Sequence, residues 1–206
     1  MKKIFKKIWE LALPYQDKRD DKGHAKMVTD FAFELLKTES ADEDVLVPAA
    51  ILHDIGWSQL SKEERFYIFK KKITKEVEMK NKVKVNVRAK HQIEGVKLTK
   101  RILKQVGYNK DKITKIIKII KQHDTGKSII SREDKLLKDA DKLWTYSKLG
   151  IKADIRRFGL TAKECYNMAV KRVDMPNYFN TESAKKLARI ELEKREKDFN
   201  IGLNRF

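Results

Sequence analysis

Apolar residues recur along most of this chain at spacings of three and four, the signature of helices that each bury one stripe. In "MKKIFKKIWELALPY", Ile4, Ile8 and Leu11 share a face, which predicts an amphipathic helix docked on the core. Residues 23–38 place His24, Val28, Phe31 and Leu35 on one side. The run 45–52 is apolar throughout; Ser40 and Glu43 offer it a capping box, Pro48 is placed to bend it, and it stops before Gly56. "SKEERFYIFKK" opens a further helix at Ser61 with Glu64 at the capping position. His91, Gly95, Leu98 and Ile102 line a helix over 88–106 that Gly107 halts. Ile113, Ile116, Ile117 and Ile120 form the next stripe, which ends at His123. Over 131–149, Ser131 and Asp134 mark a start, Leu137, Ala140, Asp141 and Trp144 share a face, and Gly150 marks a stop. Two more helices follow Thr161 and Thr181. Only 70–87 departs from this period: Val83, Val85 and Val87 alternate with polar residues, as in a short strand or extended loop. The expectation is an all-α fold without internal repeats.

Composition adjusts this picture modestly. With 206 residues and 41% hydrophobic content, the chain suits one sizeable core, hence a single domain over 1–206. No apolar run approaches the ~20 residues of a membrane span. The basic N-terminus is a poor signal peptide, because Lys6, Lys7 and Glu10 interrupt its apolar part. The single cysteine, Cys165, excludes an intramolecular disulfide, fits a reducing cytoplasm and reads as a packing residue. The formal charge is +18 and uneven: residues 70–121 carry 18 Lys and Arg against four acids. Such a field attracts phosphates, whether of nucleotides, nucleic acid or anionic lipid, although a merely lysine-rich surface explains it as well. Tyr108 is the one aromatic there, which disfavours a stacking platform for single strands.

The candidate chemistry lies where the stripes turn polar. "PAAILHDIGWSQL" ends an apolar run in His53 and Asp54, although burying unpartnered polar groups costs several kcal/mol. The chain has only four histidines, and His24, His53, His91 and His123 each lie on, or at the end of, an apolar stripe. A lone histidine in such a place is usually a satisfied core residue. Four of four, joined by the inward Asp54 and Asp141, point instead to imidazole and carboxylate groups converging on a divalent metal. The cation offsets the desolvation of the aspartates and holds the histidines neutral.

His24, the doublet His53-Asp54 in "AAILHDIG", and Asp141 in "DADKL" resemble the HD superfamily of metal-dependent phosphohydrolases, over residues of about 20 to 150. The resemblance implies a single helical bundle with its core at 20–150 and a C-terminal helical extension at 151–206 that carries no obvious chemistry. It also implies that His24, His53, Asp54 and Asp141 ligate one metal. Many members hold a second metal through two later histidines, with the doublet aspartate bridging; His91 in "HQIEG" and His123 in "QHDTG" occupy those places. The alternative for both is substrate contact beside a single metal. "KIIKQHDTGK" also looks like the "HTTG" region of bacterial HD hydrolases that cleave diadenosine tetraphosphate. The chain departs from that pattern at Asp124 and by its basic segment before His91.

One or two divalent metals per chain are therefore expected, of Fe, Mn, Co, Ni or Zn, with Mg a further option. Metal coordination acidifies water and makes a nucleophile of it, with Asp54 orienting. Lys142, beside Asp141, resembles a basic residue common at that place in the family and is the candidate for stabilising phosphoryl charge; Arg88 and Lys127 are weaker candidates. Asp139 lies roughly 200° around the helix from Asp141, so it is expected at the surface or in a supporting contact. Asp124 is either an imidazole-orienting or a solvent-facing residue. The expected function is hydrolysis of a phosphoester or phosphoanhydride bond in a small phosphorylated substrate, a nucleotide by preference, in the cytoplasm and with no membrane partner. The alternatives are a non-catalytic sensor of nucleotide or metal, and a protein that binds nucleic acid through 70–121.

Overall fold

The computed structural model describes residues 1–67 and 77–200, with the backbone alone at 66, 67 and 77–85. Ten α-helices and three short 3-10 turns occur among the described residues, and no strand does. The all-α expectation holds. None of these helices is long and apolar enough to cross a membrane.

The centre of the molecule is α3 (Glu43–Leu52), in which every residue from Val45 to Leu52 is buried. A helix surrounded on all sides needs no amphipathic stripe, which is why its sequence is continuously apolar. Around it pack α1 (Lys3–Ala12), α2 (His24–Leu36), α6 (Lys110–Ile120) and α7 (Arg132–Leu143). Asp42, and not Ser40, caps α3, its carboxylate accepting the Asp44 N–H at 2.9 Å. The expected Ser40–Glu43 box is thus replaced by a nearer acceptor. Pro48 lies inside α3 and cannot donate to the Asp44 carbonyl. The Tyr108 hydroxyl donates to that carbonyl instead, at 2.6 Å, and so satisfies the group the proline frees. In α1 the buried stripe is Phe5, Ile8 and Ala12, while Ile4 and Leu11 pack at its margins.

Two boundaries differ from the sequence reading. α5 runs from Val77 to Gln105 as one helix, so Val83, Val85 and Val87 belong to it and not to a strand or loop. Three alternating residues are too few to set a period against a continuing helix. The remainder of that expectation, at 70–76, lies outside the described residues. α7 ends at Leu143; a 3-10 turn, Trp144–Tyr146, follows, and α8 (Lys148–Phe158) starts anew with Ser147 as its cap. Gly150 therefore lies inside α8 and does not stop a helix. It is glycine because a Cβ there would stand 2.0 Å from the Trp144 carbonyl oxygen.

α4 (Lys62–Tyr67) carries the expected Ser61–Glu64 capping box, with both hydrogen bonds formed. α9 (Ala162–Val173) and α10 (Glu182–Asp198) begin after Thr161 and Thr181, as expected. Both pack with α8 or α7 on the flank of the bundle, and Cys165 is buried there as a free thiol.

Candidate metal centre

Local structure places each polar side chain of the centre. His24 is the first residue of α2, directly after Gly23 in the left-handed region. The Asp17 carboxylate accepts from the Gly23 and Ala25 N–H groups, at 2.6 and 3.2 Å, and fixes where that helix begins. The His53-Asp54 doublet sits where α3 ends: His53 keeps helical angles, while Asp54, at φ −106° and ψ 3°, turns out of the helix. A 3-10 turn, Ile55–Gln59, then runs against α5 backbone to backbone. A Cβ on Gly56 would stand 1.9 Å from the His91 carbonyl oxygen, so only glycine allows this approach. The approach brings His91 beside Asp54. His123 follows the last turn of α6, and Asp141 lies in α7.

The six side chains form two adjoining groups. His24 and His53 Nε2 are 3.0 Å apart, and Asp141 Oδ1 lies 3.2 Å from the first and 3.7 Å from the second. His91 and His123 Nε2 are 3.3 Å apart, and Asp54 Oδ1 lies 3.5 and 3.3 Å from them. The other Asp54 oxygen, Oδ2, faces the first group, 3.3 Å from His24 Nε2 and 3.6 Å from His53 Nε2. One carboxylate thus presents one oxygen to each pair of imidazoles.

The donor set fits cations. His53 and His123 donate from Nδ1 to the Ala50 and Ile120 carbonyls, at 2.8 and 2.9 Å. Those bonds fix the tautomer and leave an Nε2 lone pair aimed inward. Metal–ligand bonds of ~2.1 Å separate neighbouring ligand atoms by about 3.0–3.4 Å. The His24–His53 and His91–His123 spacings fall in that range. All four histidines are buried, so polar atoms turned on one another there need a shared positive charge.

Electrostatics agree. Burial disfavours a charged His24, yet its bonds to Asp141 and Asp54 raise its pKa to about 10. Burial dominates at His91 and lowers it to about 4. His123 is raised, against burial, by its contact with Asp54. Asp54 and Asp141 are both held below the ordinary carboxylate range in spite of burial: Asp54 chiefly by Arg19 and His53, Asp141 by bonds to His24 and His53.

Other candidates separate clearly. Lys142 lines a cavity of about 240 Å³ with Asp141 and Asp54, and its ammonium donates to the Tyr178 carbonyl. Arg88 lines the same cavity and pairs with Asp124 at 3.3 Å, and Asp124 lines the cavity too. Lys127 is exposed and outside the lining. Asp139 is neither at the surface nor near the histidines. It is fully buried and accepts from the Asn180 N–H, Asn180 Nδ2 and Thr181 Oγ1, each at 2.8 Å, tying the start of α10 to α7. A helix turns its two faces to different neighbours, and here the second neighbour is the start of another helix, in place of the solvent or the metal-site support expected.

Sequence reading missed Arg19 and the C-terminal contributors. Arg19, in the loop before α2, donates from Nη2 to Asp54 Oδ2 and lies 4.6 Å from the Trp57 ring. Trp57 stacks on His91 at 4.0 Å and donates to Asp54 Oδ1 at 3.0 Å. Arg157 and Tyr178, from the extension read as chemically silent, line the cavity wall. No periodicity marks a loop arginine. The one available signal was the polar cluster "DKRDDKGH" immediately before the first histidine.

No curated protein and no solved structure matches the chain. The family model of the HD domain matches residues 22–145, a segment that contains all six converging side chains, and the chain accordingly belongs to the HD superfamily of metal-dependent phosphohydrolases.

Proposed function

We propose that this protein is a dinuclear metal-dependent phosphohydrolase whose substrate is a small phosphorylated molecule, a nucleotide by preference. The observation that carries the reading is Asp54, with one oxygen toward His24 and His53 and the other toward His91 and His123. In it, His24, His53 and Asp141 would hold one cation, His91 and His123 a second, and Asp54 both. Mixed nitrogen and oxygen ligands suit Fe, Mn, Co, Ni or Zn. Divalent cations held there supply Lewis-acid chemistry: they acidify water and neutralise phosphoryl charge.

The chain's own residues do the rest. Asp54, braced by Trp57 Nε1 and Arg19, keeps both oxygens oriented. Burial and the neighbouring Asp139 and Asp141 act in opposite senses on Lys142, and burial prevails, lowering its pKa. Lys142 faces the cavity and is the group we assign to charge developing on the leaving oxygen. The cavity, about 240 Å³, opens to solvent and has room for a phosphoryl group beside Lys142. We read residues 1–206 as one domain, since the apolar core runs unbroken from Phe5 in α1 to Leu192 in α10.

The test is a metal-reconstituted screen against nucleotides, dinucleoside polyphosphates and generic phosphate esters, with elemental analysis of the same preparation. Two metals per chain and phosphate release are expected. One metal per chain would sink the dinuclear version, and metal-loaded protein that is inert on every phosphorylated compound would sink the hydrolase.

A further inference from the structure

Both ends of the cavity wall lie outside the matched segment 22–145. Arg19 precedes it, and Arg157 and Tyr178 follow it. Arg19 is held from three sides. Its Nε pairs with Asp21 at 3.3 Å, its Nη2 donates to Asp54, and its guanidinium covers Trp57, which in turn stacks on His91. The backbone that carries it is pinned as well. Asp17 and Asp20 adopt positive φ, 56° and 57°, a conformation that non-glycine residues take at a cost. Asp21, almost fully buried, accepts the Arg19 N–H at 3.0 Å. From α8, Arg157 Nη2 donates to the Arg19 and Asp20 carbonyls, at 3.0 and 3.2 Å, and lies 3.8 Å from the Asp21 carboxylate.

A guanidinium carries five N–H donors in a rigid fork. Nη2 of Arg19 donates to Asp54, Nε stands in ion-pair range of Asp21 without a hydrogen bond, and no hydrogen bond from Nη1 occurs among the described residues. Around the cavity, Arg19, Arg88, Lys142 and Arg157 stand against four acids, of which Asp54 and Asp141 belong to the donor groups above. With cations in those groups the remaining lining sets Arg19, Arg88, Lys142 and Arg157 against Asp21 and Asp124, a net charge of +2, and its chemistry is that of an oxyanion site.

We propose that Arg19 is a phosphoryl-binding residue of this site, and that Arg157 is the positioning residue that sets its loop. The proposal rests on the hydrolase reading and adds to it a cationic clamp supplied by segments flanking the HD core. The donor left on Arg19 would take a non-bridging phosphoryl oxygen of the substrate or of the phosphate product.

The test uses inorganic phosphate as probe, by calorimetry on full-length, metal-loaded protein, with metal content and melting temperature measured in parallel. Lysine keeps the charge of Arg19 but lacks the fork. Arg19→Lys should retain metal and fold while phosphate affinity falls by about tenfold to a hundredfold, as for loss of a charge-assisted hydrogen bond. Arg157→Lys should weaken phosphate in the same direction at unchanged metal content, and should raise KM for a phosphate ester more than it lowers kcat. An Arg19→Lys protein with unaltered phosphate affinity overturns the proposal alone. One that loses metal reports the brace on Asp54, and the wild-type side-chain signals then decide. Metal-loaded wild type that binds no phosphate overturns the proposal, while the hydrolase reading stands or falls with the substrate screen. Should the Arg19 variant fail to fold, the arginine side-chain NMR signals of wild type decide: phosphate should shift the Arg19 Nε–H resonance, and a stationary resonance overturns the assignment.

Discussion

Replacing Gly56 by alanine tests how the two imidazole pairs are brought together. The added Cβ would lie 1.9 Å from the His91 carbonyl oxygen, 2.4 Å from the Gly95 nitrogen and 2.9 Å from the Gly95 Cα. All three are backbone atoms, so no side-chain rotation relieves the clash. The turn and α5 must separate by roughly 1–1.5 Å to restore ordinary contact, in an interior packed as densely as a crystal. Overpacking of this kind costs about 1–3 kcal/mol. In a chain of this size that lowers the melting temperature by about 2–12 °C. The same movement carries His91 away from Asp54, and a ~1 Å misplacement in a catalytic constellation costs about 100-fold in rate. Gly95→Ala is the matched control. Its Cβ would meet the Ile120 Cγ2 at 3.5 Å and Gly56 backbone at 3.6 and 3.7 Å, all ordinary contacts. In a helix, alanine gains up to about 1 kcal/mol over glycine. Thermal unfolding, metal analysis and turnover should therefore separate the pair, with Gly56→Ala destabilised and depleted at the His91–His123 side and Gly95→Ala neutral or better. A Gly56→Ala protein with wild-type melting, metal content and rate would refute the close-approach argument.

Five other outcomes are expected. Asp54→Ala should abolish turnover and deplete metal on both sides, as read by elemental analysis; retained activity would contradict its place between the groups. Asp139→Ala should lower stability by about 2–4 kcal/mol in denaturant unfolding, because three donors at the start of α10 lose a charged acceptor. Asp141→Ala should instead lose metal with a smaller change in stability, and an exchange of these two phenotypes would reverse the roles assigned here. Tyr108→Phe should cost about 1–3 kcal/mol by leaving the Asp44 carbonyl without a partner, and an unchanged melting temperature would show that carbonyl to be satisfied in another way. Metal uptake at pH 8 should release protons. His24, with its pKa raised to about 10, is protonated at that pH in the metal-free protein and must become neutral to ligate. An indicator dye in weak buffer would register the release, and a flat trace would show His24 to be neutral before metal binds.

Much of this protein is decided by local pattern. The stripes of α2, α5, α6 and α7 and the caps at Ser61, Ser131, Thr161 and Thr181 depend on residues three or four apart, so reading along the chain finds them. The four histidines and two aspartates stand out for the same reason, as polar residues on faces that are otherwise buried. What the chain alone left open are contacts between segments remote in sequence. Asp139 and Asp141 are two residues apart, and only the arrival of Asn180 and Thr181 shows what Asp139 serves. The glycine after the doublet becomes intelligible only when α5 is laid against it, since steric exclusion is a property of the pair of backbones. Arg19 has no period to reveal it, because a loop residue is oriented by its partners, here Asp21, Asp54, Trp57 and a bond from Arg157 at the far end of the chain. Periodicity determines which side of a helix faces inward; which inward groups meet depends on the packing of whole elements, and that is settled only in three dimensions.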